Sequence, residues 1–251
     1  MGGAIQSLWV GDRLGLIPWL SISSFLRQGH DYHLYCYGPM AGVPTGCRLR
    51  DAREILPAAA VFCYERGPGR GSVSAFSNLF RYKLLLDKGG WWVDADVVCL
   101  RPFDFPEPIV FASEHTPEAS QVASAVIRLP RGHAVARLCY EWARRQDRRA
   151  LEWGETGPQL LGAAVRANVL GDWVKGTGVF CAIPWWEWES VLSDWDIPGR
   201  SALPAESYGL HLWHEMWRRA GADRLTQPPA GSLLARLWEQ YAAGFPGAEA
   251  A

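Results

Sequence analysis

The stretch from Phe80 to Val98 constrains the fold of this chain more than any other. Phe80-Arg81-Tyr82-Lys83-Leu84-Leu85-Leu86-Asp87 reads as the end of a helix, Gly89-Gly90 as a turn and Trp91-Trp92-Val93 as a short buried strand. Asp94 and Asp96 then place two acids one residue apart at the strand's carboxyl end. Paired glycines stop a helix because they accept positive φ without a Cβ penalty. Two carboxylates at the end of a buried strand are costly unless a cation neutralises them. A divalent metal held by oxygen ligands does this compactly, and a metal in that position suits phosphate chemistry.

The preceding helix adds to this picture. Ser74, Asn78 and Arg81 are four and three residues apart and share one face. Phe76, Leu79, Phe80 and Leu84 form the apolar side that meets a sheet. Strand and helix patterns alternate through the first half. Strands are expected at 4–10, 31–37, 61–64 and 91–93, and helices at 18–28, 51–56 and 72–87. Two further strands, 109–113 and 121–128, and a helix at 134–145 follow. In the second half we expect a helix at 158–167, a strand at 179–183, a loop through Pro184-Trp185-Trp186-Glu187-Trp188 and a terminal helix at 232–241. Such alternation implies an α/β sandwich with a mostly parallel central sheet. Ligands of such sheets sit at strand carboxyl ends, where Asp94 and Asp96 lie.

At these residues the chain resembles the DXD-containing sugar transferases of glycosyltransferase family 32. The resemblance runs through Ser77-Asn78-Leu79-Phe80-Arg81-Tyr82 and Gly89-Gly90-Trp91-Trp92-Val93-Asp94-Ala95-Asp96. Ile5-Gln6-Ser7-Leu8-Trp9-Val10-Gly11 is similar to the family's first strand, Thr156-Gly157-Pro158 to its turn before a helix, and Gly209-Leu210-His211-Leu212-Trp213-His214 to its late His-x-Trp element. These blocks keep the family order and cover most of the chain. One departure stands out: Asn78 occupies a position where the family usually has Asp, expected to bond the donor sugar's hydroxyls. Asn keeps acceptor and donor capacity but loses the charge.

The resemblance implies a GT-A type, Rossmann-like α/β/α fold and a metal-dependent retaining glycosyltransferase. Its donor would be a nucleotide-sugar, UDP-sugars favoured, and its acceptor a hydroxyl of a glycan, lipid-linked sugar or small molecule. Asp94, Asp96 and His211 are the expected ligands of Mn²⁺ or Mg²⁺, with Asp96 the direct one. An imidazole beside carboxylates suits Mn²⁺ better than Ca²⁺. Arg81 and Asn78 join the acids as catalytic candidates. Trp9, with Val10 beside it, is expected to stack on the base, and His214 to meet the diphosphate. Trp185, Trp186 and Trp188 would either stack on an acceptor sugar or fill the core. A non-catalytic binder of nucleotide-sugar or glycan is the alternative, as is, less favourably, a phosphatase built on Asp-x-Asp. The phosphatase needs its motif near the N-terminus and a later Lys with an Asp pair, and no Asp-Asp follows Lys175.

Composition narrows the field. With 251 residues and 49% hydrophobic content the chain can bury one sizeable core. We expect one domain over 1–243, its nucleotide-sugar part up to about residue 130, and a flexible tail over 244–251. A net charge of −1 gives no basic surface for nucleic acid. No apolar run approaches the roughly 20 residues of a membrane span, and no signal-peptide pattern opens the chain. The six cysteines are dispersed, with no Cys-x-x-Cys pair, and read as buried reduced thiols, Cys63 and Cys99 among them. A cytoplasmic protein is expected, with possible peripheral contact at the inner membrane surface where lipid-linked glycans are built.

Overall fold

The computed structural model describes residues 3–194, 203–222 and 227–242; the expected tail over 244–251 lies outside them. Six strands form the central sheet: β1 (Ile5–Leu8), β2 (Tyr32–Cys36), β3 (Arg48–Asp51), β4 (Gly90–Val93), β6 (Val110–His115) and β7 (Ser120–Leu129). Their spatial order is β3-β2-β1-β4-β7-β6. The first four run parallel, and β7 is antiparallel to both of its neighbours. The sheet is therefore mostly parallel, as expected for the α/β class. A second, two-stranded sheet pairs β5 (Val97–Cys99) with β8 (Gly209–His211).

Apolar clusters pack on both faces of the sheet. Successive strand residues point to opposite faces, so Trp91 joins one cluster and Trp92 the other, both almost fully buried. The first cluster takes in α1 (Leu16–Arg27), the β5–β8 pair and α7 (Leu233–Tyr241). The second takes in α2 (Ser74–Asp87), α3 (Ala134–Ala143) and α4 (Leu160–Ala167). Two short helices, α5 (Thr177–Phe180) and α6 (His214–Ala220), complete the fold. No helix among the described residues is long and apolar enough to cross a membrane.

The double-glycine turn forms as its sequence implies. Gly89 and Gly90 have φ of +68° and +87°. A Cβ on Gly89 would lie 2.4 Å from the backbone nitrogen of Arg131, so the close approach excludes a side chain as well. The buried Gln6 amide then donates to the carbonyls of Gly89 (2.9 Å) and Trp91 (3.1 Å), tying β1 to the entry of β4.

Five expectations need correction. Residues 61–64 are not a strand: a short 3₁₀ turn, Ala58–Ala60, precedes them and Tyr64 makes only an isolated bridge to Arg70. The sheet edge they would have occupied is taken by β3, whose Arg-Leu-Arg-Asp sequence carries no apolar signal. Cys63 is consequently exposed, whereas Cys36, Cys99, Cys139 and Cys181 are buried. Within 51–56 only Ala52–Glu54 is helical, as a 3₁₀ turn capped by the Asp51 carboxylate. Residues 179–183 include the end of α5 instead of a strand, since a short apolar run fits either element. The 185–188 stretch, expected as loop, opens a 3₁₀ segment, Trp185–Leu192.

Candidate active site

The strand β4 ends at Val93, and its continuation carries Asp94 and Asp96 into a cavity of about 850 Å³. Asp94 is held by two donors. Trp92 Nε1 donates to its Oδ1 at 2.8 Å, and Arg81 Nη2 lies 3.1 Å from the same oxygen. Arg81 Nη1 reaches Oδ2 at 3.4 Å. The guanidinium is itself anchored: Nε donates to the Ser77 carbonyl, Nη2 to Ser77 Oγ and Nη1 to the Ser124 carbonyl. It also lies over the Trp92 ring, 4.9 Å from its centroid. All three of its nitrogens are thus engaged, and Arg81 is only 3% exposed. Its role in this geometry is to fix and neutralise Asp94, a positioning role.

Asp96 meets a different partner set. Its Oδ2 lies 3.2 Å from His211 Nε2 and accepts from the backbone N–H of His214 at 2.8 Å. The backbone explains how His211 arrives there. Val97 pairs with His211 in the β5–β8 ladder, and Leu212 N–H donates to the Asp96 carbonyl at 2.9 Å. Trp213 adopts a left-handed conformation (φ +57°, ψ +50°) that turns the chain from β8 into α6. A non-glycine residue held at positive φ is uncommon and clusters at functional sites. The Trp213 ring packs 3.9 Å from the His211 ring, and its Nε1 donates to the Ile183 carbonyl at 2.8 Å.

The charges diverge accordingly. Burial raises the Asp94 carboxyl, and the charge of Asp96 adds to that, against the lowering effect of Arg81. Burial also acts to raise Asp96, but the charge and hydrogen bond of His211 and the His214 N–H prevail and hold it at about 2. His211 is raised well above its usual value: burial acts to lower it, and Asp96 overrides burial.

One donor atom from each of Asp94, Asp96 and His211 lies within 4.8 Å of the others. The 3.2 Å contact between Asp96 Oδ2 and His211 Nε2 is their own ion pair, which a bound cation would replace. Two carboxylate oxygens and an imidazole form a donor set that fits a divalent cation.

The same cavity is lined by Trp9, Val10, Asn78, Arg81, Asp94, Asp96, His211 and His214, so all eight residues named from sequence converge on it. The rings of Trp9 and His214 are 5.9 Å apart. Asn78 is committed in part: its Nδ2 donates to Thr156 Oγ1 at 3.2 Å. The Thr156-Gly157-Pro158 turn is fixed from beneath, since Tyr82 Oη donates to the carbonyl of Thr156 at 2.9 Å. Gly157 there is non-helical, and α4 begins only at Leu160. Among the three tryptophans, Trp185 lines the cavity, Trp186 stands edge-on to it at 5.5 Å, and Trp188 is buried against Trp217 at 5.2 Å. Trp188 therefore fills the core. Lys175 pairs with Glu107 at 2.6 Å and is not among the residues lining this cavity.

Other lining residues gave no sequence signal. Glu114 and Gln121 sit on β6 and β7, whose patterns read only as strands, and Trp153, Glu215 and Arg219 come from irregular or short segments.

No family model and no curated protein matches the chain. Solved structures that resemble it include PaToxG glycosyltransferase, at 14% identity over 67% of this chain and 69% of that one, with a TM-score of 0.48. Another is a transferase solved as a double cysteine-to-serine mutant, at 10% identity over 66% of this chain and 84% of that one, with a TM-score of 0.43.

Proposed function

We propose that the chain moves a sugar from a nucleotide-sugar donor, UDP-sugars favoured, to a hydroxyl of a glycan, lipid-linked sugar or small-molecule acceptor. The proposal includes dependence on Mn²⁺ or Mg²⁺, retention of anomeric configuration and a GT-A type organisation over 1–243. The observation that carries it is convergence. Donor atoms of Asp94, Asp96 and His211 gather within 4.8 Å in a cavity of about 850 Å³, a volume in the range of ligand sites.

A divalent cation held by these three residues would offset the charge of a diphosphate as it leaves. The chain's own groups do the rest. Asp96, ionised and pinned by the His214 N–H, offers the least encumbered oxygen for direct ligation. Asp94, already bonded to Arg81 and Trp92, serves as the second, more constrained carboxylate. Arg81 works against the rise that burial imposes on that carboxyl and adds fixed positive charge where negative charge develops. Trp9 is our candidate to stack on the base, and the His214 ring beside it faces the diphosphate. A diphosphate oxygen takes the acceptor hydroxyl's proton as that hydroxyl attacks from the face the diphosphate leaves. We take the reaction to be cytoplasmic, with a lipid-linked acceptor met at the inner membrane surface.

A non-catalytic binder is the second reading, favoured by Asn78, which replaces the acid expected there and is bonded to Thr156. Thermal stabilisation against UDP- and GDP-sugars, with and without Mn²⁺, followed by assays of donor hydrolysis and transfer, tests both. Metal-linked stabilisation with turnover supports the transferase, and stabilisation without turnover supports the binder. No shift with any nucleotide-sugar, with or without Mn²⁺, overturns both the transferase and a nucleotide-sugar binder.

A further inference from the structure

Four carboxyls line the cavity: Asp94, Asp96, Glu114 and Glu215. Three have a cationic partner. Arg81 pairs with Asp94, His211 with Asp96, and Arg218 and Arg219 with Glu215. Glu114 has none among the described residues. It is 8% exposed and lies on β6 directly across from Gln121 on β7. Gln121 Nε2 donates to Glu114 Oε1 at 2.7 Å. That contact orients the carboxyl and leaves Oε2 without a protein donor among the described residues. The residue is on the wall of the cavity, where a ligand's O–H group can donate to that oxygen.

The surroundings select the ligand group. Phosphate oxygens carry negative charge and belong beside Arg81, His211 and a bound cation. A second acidic wall repels them and suits a neutral polyhydroxyl group. Glu114 lines the same cavity as Asp94, Asp96 and His211, so a ligand whose diphosphate meets the triad can present its neighbouring group to Glu114. In a nucleotide-sugar that group is the sugar. Asn78, which the resemblance would assign to this task, lacks the charge and spends an amide hydrogen on Thr156.

We propose that Glu114 reads a hydroxyl of the donor sugar and that Gln121 is its positioning residue. The proposal depends on the nucleotide-sugar function given above. The test is isothermal titration of the full chain with Mn²⁺ present, using UDP and GDP as sugar-free probes. UDP-glucose, UDP-galactose, UDP-N-acetylglucosamine and GDP-mannose are the sugar-bearing ones. In Glu114→Ala, the nucleotide-sugar that the wild type binds best should lose about tenfold or more in affinity, while its parent nucleotide changes less than about twofold. Glu114→Gln keeps an acceptor oxygen and should recover part of the loss; it also replaces the alanine variant if that one fails to fold. Gln121→Ala should show a smaller loss of the same kind. Equal loss for nucleotide and nucleotide-sugar, or no loss for either, overturns the role of Glu114 and leaves the nucleotide-sugar function standing. Failure of the wild type to bind any of the six probes overturns that function, and the role of Glu114 with it.

Discussion

Removing Arg81 should destabilise the fold before it affects any chemistry. Arg81→Met keeps the length of the side chain and deletes its charge. The guanidinium is 3% exposed on its side chain and the Asp94 carboxylate 24%. Breaking a buried ion pair by deleting one partner costs about 3–5 kcal/mol. Partial exposure of Asp94 points to the lower end, about 3 kcal/mol, because solvent screens the stranded charge. The carbonyl of Ser124 and the hydroxyl of Ser77 also lose a donor. For a chain of this size about 3 kcal/mol corresponds to a fall in melting temperature of roughly 6–12 °C. Urea unfolding in EDTA measures it without interference from metal. The decisive comparison is the same substitution in an Asp94→Asn background, where Trp92 Nε1 still finds an acceptor oxygen. There the cost should shrink by about 1.5 kcal/mol or more, the coupling expected of contacting charges. A cost below about 1 kcal/mol for Arg81→Met alone, or strict additivity in the double variant, would refute the assignment of Arg81 as the counter-charge of Asp94.

Asp96→Ala should abolish metal-linked nucleotide stabilisation while leaving a cooperative thermal transition; retained Mn²⁺-dependent stabilisation would move the direct ligand elsewhere. The metal-free protein should lose stability as pH rises through the raised pKa of His211. That group's contribution is complete below its unfolded value of about 6.5 and disappears above its folded one. His211→Gln should flatten this alkaline slope in melts recorded with EDTA, and Mn²⁺ affinity of the wild type should rise with pH as the cation displaces the proton. Gly89→Ala should cost about 2–4 kcal/mol, combining a positive-φ penalty with overpacking against Arg131; a loss under about 0.5 kcal/mol in urea unfolding would contradict the close approach. Asn78→Asp should change the ranking of donors in the thermal-shift panel, and an unchanged ranking would remove Asn78 from sugar recognition.

The parts of the site that were legible in sequence are those encoded by short, local grammar. The glycine pair, the Trp-Trp-Val run and the two acids specify helix stop, buried strand and strand-end carboxylates within ten residues, and the fold reproduces each. His211 was legible only through a resemblance, because its approach to Asp96 depends on a β5–β8 ladder that no periodicity announces. Glu114 was not legible at all. On a strand, a lone acid reads as a solvent-facing residue, and only the cavity shows that it is largely enclosed. The β3 edge failed for the opposite reason: edge strands tolerate charge, so Arg48-Leu49-Arg50-Asp51 carries no strand signature. The apolar run at 179–183 misled because such a run fits strand and helix alike, and the one at 61–64 because it packs outside the sheet, with only Tyr64 fully buried.

The ladder that delivers His211 has a kinetic consequence. The hydrogen bond from His214 to Asp96 joins residues 118 positions apart, so the three donors cannot meet until a very long loop has closed. The six-stranded sheet does not include either strand of that ladder. A partly folded chain that has built the central sheet but not the β5–β8 pair would therefore still lack the donor cluster. Mn²⁺ uptake during refolding would then report the closing of the β5–β8 pair and not the first appearance of the central sheet.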